Sequence, residues 1–312
     1  MKIQQVAAVI ALALLAANSG ISASNPNSTG VPAKMVITVR PAPGTQPPAS
    51  QPKTLEPGEL MVLRGNTPMR VLSLQRLTGD LADMQLFVLL DDSTRSSSLS
   101  LQFPELRTFL AALPTSTNVA IGYMRNGTFS LAQAFTADHE KAVGGLRLPL
   151  AVPGENGSPY FALSDLVKHW PSKKSTGRRA VLMLTDGVDR YWGAQIMDDP
   201  YVDASVRDAL KAGVMVYSIY LRGAGDGRNG WVTLAGQSRL IQVSEETGGH
   251  AYFQGFSDPV TISSFLTDIQ DRFANQYQAT IEVSGEKGEQ PVKLRTELPG
   301  LKIEGPTHIY VR

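Results

Sequence analysis

At 312 residues the chain is long enough for one large domain with additional structure, and a hydrophobic content of 42% allows a sizeable core. A formal net charge of +1, with no Lys/Arg run, removes the electrostatic case for nucleic acid as a partner. The absence of cysteine excludes disulfides, thiolate metal sites and a lipidated cysteine, so the fold depends on its apolar core.

In chain order, residues 1–23 read as an export signal. Lys2 is the positive start, Val6 to Ala17 is the apolar segment, and Ile21-Ser22-Ala23 is a small-residue cleavage site. The apolar segment is shorter than the ~20 residues a spanning helix needs, which weighs against an uncleaved anchor. The chain is therefore expected in the periplasm, the cell envelope or the medium, with no transmembrane segment after cleavage. Residues 24–32 and 41–58 are rich in Pro, Ser, Thr and Gln, the composition of linkers. Segments 34–40, 59–64 and 69–77 alternate apolar and polar residues and predict half-exposed antiparallel strands. Residues 24–84 thus form a β-bearing, Pro-rich flank.

From residue 85 to 274 apolar strands alternate with helical segments, the pattern of βαβ units and a mostly parallel, doubly wound α/β sheet. The run Leu86-Phe87-Val88-Leu89-Leu90 stops on Asp91-Asp92-Ser93-Thr94-Arg95-Ser96. A second run, Val181-Leu182-Met183-Leu184, stops on Thr185-Asp186-Gly187. Two buried parallel strands ending on oxygen-bearing side chains point to a ligand site at the carboxyl edge of the sheet. Helices are predicted at 101–113, 161–170, 201–212, 238–247 and 259–275, and further strands at 118–124, 214–221 and 250–253. Asn126-Gly127 between two alternating segments is a strong hairpin signal and predicts one antiparallel edge strand. Residues 275–312 return to short strands, at 277–283, 291–298 and 308–312. They are expected to pack with the N-terminal strands as a second, β-rich layer.

The ordered set of a strand ending in Asp-x-Ser, a hydroxyl before a later helix, and a strand ending in Thr-Asp-Gly resembles the metal-ion-dependent adhesion site of von Willebrand factor type A domains. Asp91 and Ser93 match the first positions, Ser158 lies in the Gly157-to-Leu163 loop that normally offers a Thr, and Asp186 closes the set. With its export signal and β flanks, the chain looks like bacterial exported proteins related to that family. The resemblance implies a Rossmann-like fold and a non-enzymatic protein-binding module. It further implies a Mg²⁺ ion, or Mn²⁺ or Ca²⁺, held by Asp91, Ser93, Ser158 and Asp186, with a partner's acidic side chain completing the shell. Hard divalent ions suit such oxygen donors.

Two points stay open in the sequence. Arg95 stands where the family has a second Ser, and a guanidinium could take the metal's place by pairing with Asp91 or Asp186, giving a metal-free structural module. Shifting by one residue gives Asp92, Thr94 and Ser96, which restores the hydroxyl pattern but faces the other side of the strand. Tyr191 and Trp192 follow Asp186 in an acidic, aromatic loop and are read as a partner-binding rim.

Other chemistries have little support. Gly225-Asp226-Gly227-Arg228-Asn229-Gly230, with Glu245 beyond it, fits a dinucleotide fingerprint formally, but it follows a late strand and Trp231-Val232-Thr233 is not expected to open a helix. A nucleotide-contacting enzyme is the remaining alternative. The histidines, His139, His169, His250 and His308, lie on separate elements without a His-x-x-x-His pair. No Gly-x-Ser-x-Gly elbow and no phosphate-loop Gly-Lys-Ser/Thr occurs.

Overall fold

The computed structural model describes residues 30–44, 54–151, 157–174, 177–192, 198–223, 230–285 and 287–311. The expected export signal, residues 24–29 of the first Pro-rich linker and residues 45–53 of the second lie outside the described residues. The elements in order are β1 (Val31–Pro41), β2 (Met61–Arg64), β3 (Thr67–Arg76), β4 (Met84–Asp91), α1 (Ser96–Ala111), β5 (Thr117–Arg125), β6 (Thr128–Thr136) and α2 (His139–Val143). Then come α3 (Pro159–Lys168), β7 (Arg178–Thr185), α4 (Pro200–Ala212), β8 (Val214–Tyr220), α5 (Gly230–Glu246), β9 (Ala251–Tyr252) and α6 (Ser263–Ala274). The chain continues with β10 (Gln276–Val283), β11 (Gly288–Pro291), β12 (Lys293–Arg295), β13 (Leu301–Glu304) and β14 (His308–Val311).

One sheet runs β6-β5-β4-β7-β8-β9. Its β4, β5, β7, β8 and β9 are parallel, and β6 is antiparallel to β5. Asn126 and Gly127 both take positive φ, 51° and 71°, as the tight turn between β5 and β6 requires. β4 is buried along its whole length. Alternate residues feed opposite faces: Leu86, Val88 and Leu90 join Leu99, Leu110 and Ile269 in one core. Phe87 and Leu89 join Leu163, Leu166 and Val206 in the other. Each such side chain contributes about 1.5–3 kcal/mol through burial, so the central strand is fixed in register and its last residue is delivered to one place.

The chain ends form the second layer. Its main sheet has the order β12-β2-β3-β10-β1-β13, and β11 pairs with β14 beside it. Met35, Ile37 and Val39 of β1 pack with Tyr277, Ala279 and Ile281 of β10. Charged groups tie this layer to α6. Arg272 Nε bonds Asp268 at 2.7 Å and its Nη1 bonds Glu304 of β13 at 2.6 Å, while Arg40 of β1 pairs with Asp268.

Several boundaries differ from the sequence expectations. β1 begins at Val31, inside the segment expected to be a linker, because its partner β10 continues to Val283. α1 starts at Ser96 rather than 101: Ser98 is buried there, its hydroxyl donating to Asp258 at 2.8 Å, so tertiary contacts override the weak propensity of a Ser run. α6 starts at Ser263 rather than 259, since the Pro259 carbonyl accepts from Gln102 instead. The expectation that Trp231-Val232-Thr233 opens no helix is overturned. α5 begins at Gly230, and buried Thr233 and Gln237 give that first stretch its packing face. The short α2 and β13 carry no sequence expectation because both are too brief for a periodic signal.

Candidate functional site

β4 and β7 are neighbours, so Asp91 and Thr185 emerge side by side at the carboxyl edge of the sheet. Asp91 Oδ1 accepts from the Ser93 amide at 2.9 Å and the Ser93 hydroxyl at 2.7 Å. Its Oδ2 accepts from Thr185 Oγ1 at 2.8 Å. Burial holds the Asp91 carboxyl above its usual range, the Asp186 charge adds to this, and the hydrogen bonds from Ser93 and Thr185 oppose it.

Asp186, also buried, accepts from the Val188 amide at 2.9 Å on Oδ1 and pairs with Arg190 Nη2 at 2.8 Å on Oδ2. Ser158 caps α3, accepting from the Phe161 amide at 3.3 Å, and its hydroxyl donates to Asp189. Asp189 is fully buried, and its other oxygen accepts from the amides of Tyr191 at 2.8 Å and Trp192 at 3.0 Å. A cavity of about 10 Å³, close to the space of one water, lies among Asp91, Gly157, Ser158, Val188 and Arg190.

In the Asp91 frame, Ser93 and Thr185 both bond the Asp91 carboxylate, and Asp91 and Ser158 line the same small cavity. In the alternative frame, Asp92 pairs with Arg147 Nη1 at 2.6 Å and accepts from the Leu150 amide at 3.0 Å. Thr94 is buried beside Gly223, and Ser96 is exposed at the start of α1, so those three residues are not brought together. The expected closure by Arg95 is also corrected. The Thr94 amide bonds back to the Asp91 carbonyl at 3.2 Å, and the chain then leaves the site, so Arg95 is exposed at the N-terminus of α1. The guanidinium in contact with the site's carboxylate is that of Arg190.

Asp189 and Arg190 are the residues that sequence reasoning missed. Their signal was present in Asp186-Gly187-Val188-Asp189-Arg190, where an acid and a base lie four residues apart. A backbone requirement was missed with them. Gly187 has φ +69°, and a Cβ there would meet the Gly236 carbonyl oxygen at 2.5 Å. Helix α5 thus presses its glycine against the end of β7, which needs two residues without side chains at one spot.

Tyr191 and Trp192 are 60% and 38% exposed. Tyr191 packs against Phe161, and the Trp192 indole donates to the Asp198 carbonyl at 2.9 Å. Both stand on the edge that carries Asp186. Of the fingerprint segment, Gly225 and Gly227 lie outside the described residues, while Glu245 sits near the end of α5. Among the described residues no group of three or more His, Asp or Glu side chains is placed to hold a metal ion. The oxygens that could hold a hard ion are the mixed carboxylate and hydroxyl set of Asp91, Ser93, Ser158, Thr185 and Asp186. Their chemistry fits such an ion. Arg190 opposes it, because it already supplies positive charge to Asp186.

The α/β unit sets Asp91 and Asp186 at the carboxyl ends of the adjacent central strands β4 and β7. No family model matches the chain, and no curated protein matches it. Solved structures similar to it include an aerotolerance-related membrane protein of Bacteroides fragilis, with TM-score 0.42 and 13% identity over 61% of this chain and 98% of that one. BatB of Bacteroides thetaiotaomicron gives TM-score 0.42 and 14% identity over 60% and 96%. The vWF domain of the type V pili tip protein Mfa5 from Porphyromonas gingivalis gives 0.41 and 9% over 60% and 93%.

Proposed function

We propose that the chain is an exported, non-enzymatic binding module in which residues 85–274 dock a protein partner at the carboxyl edge of the parallel sheet. The observation that carries this reading is the convergence of Asp91, Ser93, Ser158, Thr185 and Asp186 beside the exposed Tyr191 and Trp192. The aromatic pair supplies apolar contact area, and the buried carboxylates supply a polar centre. Asp189 joins the two by bonding both Ser158 and the rim amides.

A divalent ion in this site would be held by Asp91, Ser93, Ser158 and Asp186, and it would supply an open coordination position for a partner's carboxylate. Arg190 must leave Asp186 first. The Arg190 pair with Asp186 favours a second reading, in which the guanidinium replaces the ion and the module binds its partner without metal.

Affinity capture from an envelope extract on immobilised wild-type chain tests the docking edge. Asp186→Ala and Tyr191→Ala/Trp192→Ala chains serve as comparisons. Loss of the same captured protein from both supports the reading. Retention of every captured protein by both would refute it.

A further inference from the structure

A second cavity lies at the opposite end of the parallel sheet from the Asp91 site. It is a cleft of about 510 Å³, bounded by the first residues of β7 and β8, the end of α4, and strands β1 and β14. That volume is within the range of ligand-binding clefts. Its lining includes six successive residues of β1, Val31 to Val36, and four of β14, His308 to Val311. Successive residues of a strand point to opposite faces, so a cleft touching every one of them runs along the strand's edge.

That edge of β1 is open over Val31 to Met35, beyond which Gly305 stands against the Val36 carbonyl. β10 pairs with β1 from Val31 to Thr38, whereas on the other side β13 pairs only from Thr38 to Pro41. Among the described residues no strand pairs with residues 31–37 on that second side. Among the described residues β14 likewise pairs with β11 alone. The cleft is therefore a slot between two strand edges. Its floor is apolar, with Met35, Val214 and Ile309 buried beneath it.

The charge of the slot has one sign. Lys34, Arg179 and Lys211 line it, and among the described residues no Asp or Glu does. The nearby carboxylates face His308 instead: Glu289 lies 3.8 Å from its Nδ1, and Glu246 interacts with it electrostatically. Lys211 also stands 5.7 Å from the centre of the Tyr310 ring. Pro32, which has no N–H, and the charged Lys34 are features that guard an edge against indiscriminate pairing. An occupant must therefore offer negative charge as well as a backbone.

We propose that this slot is a second binding site, which takes an extended acidic segment of a partner protein as an added strand along β1 between Val31 and Met35. Backbone pairing supplies the affinity, and Lys34 and Lys211 select acidic side chains. Five residues span roughly 17 Å of strand, so one short segment fills the edge.

Fluorescence anisotropy with a labelled eight-residue peptide of alternating Glu and Val tests this on the full chain. Comparison probes are the same peptide N-methylated at alternate residues and a Lys/Val counterpart. Wild type binds the Glu/Val peptide and neither comparison probe, and Lys34→Glu/Lys211→Glu binds it roughly tenfold more weakly. Asp186→Ala binds it like wild type, which separates this slot from the Asp91 site whatever becomes of that site. Any of four results overturns the proposal: no binding by wild type, equal binding of the Lys/Val or N-methylated peptide, undiminished binding by the charge-reversed chain, or a concentration-dependent dimer that the peptide does not compete with.

Discussion

Asp268→Asn tests whether charge locks the β layer to the α/β unit. The Asp268 carboxylate accepts from Arg272 Nε and from the Tyr252 hydroxyl, each at 2.7 Å, and also pairs with Arg40. The amide keeps the size and removes the charge, while Arg272 retains Glu304 at 2.6 Å. Breaking a fully buried pair costs about 3–5 kcal/mol, and one charge-assisted hydrogen bond contributes about 1.5–3 kcal/mol. Because the Asp268 side chain is 26% exposed and Arg272 keeps one partner, the loss is set near 2 kcal/mol, in the lower range. For a chain of this size that lowers Tm by roughly 3 °C.

The pH dependence gives the argument its sign. Burial pushes the Asp268 carboxyl up, but hydrogen bonds from Arg272 and Tyr252 and the charges of Arg272 and Arg40 outweigh it, so the carboxyl sits below its ordinary 3.8. A depressed folded value means the stabilisation is present above the unfolded value and is lost as pH falls through the folded one. The deficit of Asp268→Asn is thus full at pH 7 and shrinks below about pH 4. Urea unfolding followed by circular dichroism at pH 7 and in acid measures it. A variant within about 0.5 kcal/mol of wild type at pH 7, or a deficit that grows on acidification, refutes the reasoning.

Three more expectations follow from the site. Arg190→Ser gains Mn²⁺ binding in calorimetric titration while Arg95→Ser does not, and a folded Arg190→Ser chain that takes up no ion would sink the metal reading. Gly187→Ala combines positive φ with Cβ contacts of 2.5 Å to the Gly236 oxygen and 2.6 Å to Leu240, so it costs at least about 3 kcal/mol in denaturant unfolding; a loss under about 1 kcal/mol would show that α5 shifts freely. Ser158→Ala removes a helix cap and the Asp189 contact, costing about 1–2 kcal/mol, and speeds hydrogen exchange at the Tyr191 and Trp192 amides. Unchanged exchange there would mean that Ser158 does not steady the rim.

What the sequence revealed was whatever depended on local pattern. Buried strands such as Leu86 to Leu90 announce themselves by composition, and Asn126-Gly127 by turn chemistry. The sequence set Asp91 and Thr185 at the ends of two buried strands, and the contact between them comes from the adjacency of β4 and β7. The identity of the site's cation did not follow. Arg95 was adjacent in sequence to Asp91, but a turn of three residues carries it outward, whereas Arg190 reaches Asp186 because the loop after β7 folds back through Val188. The contact of Gly187 with Gly236 was equally invisible, since it joins a loop to a helix nearly 50 residues on whose first turns carried no clear amphipathic pattern.

The sheet shared by the two ends of the chain has a consequence for the order of folding. Val31 pairs with Val283, and Arg40 with Lys302, so β1 has no strand partner until almost all of the chain is available. The strands of the α/β sheet, by contrast, are contiguous between Met84 and Tyr252 and can close on one another with far shorter loops. A chain emerging from its amino end would complete the sheet that carries Asp91 and Asp186 first and stitch its two ends together last. Trimming either end then removes the same seam, and β1 without its partners is left as a lone apolar strand with two bare edges.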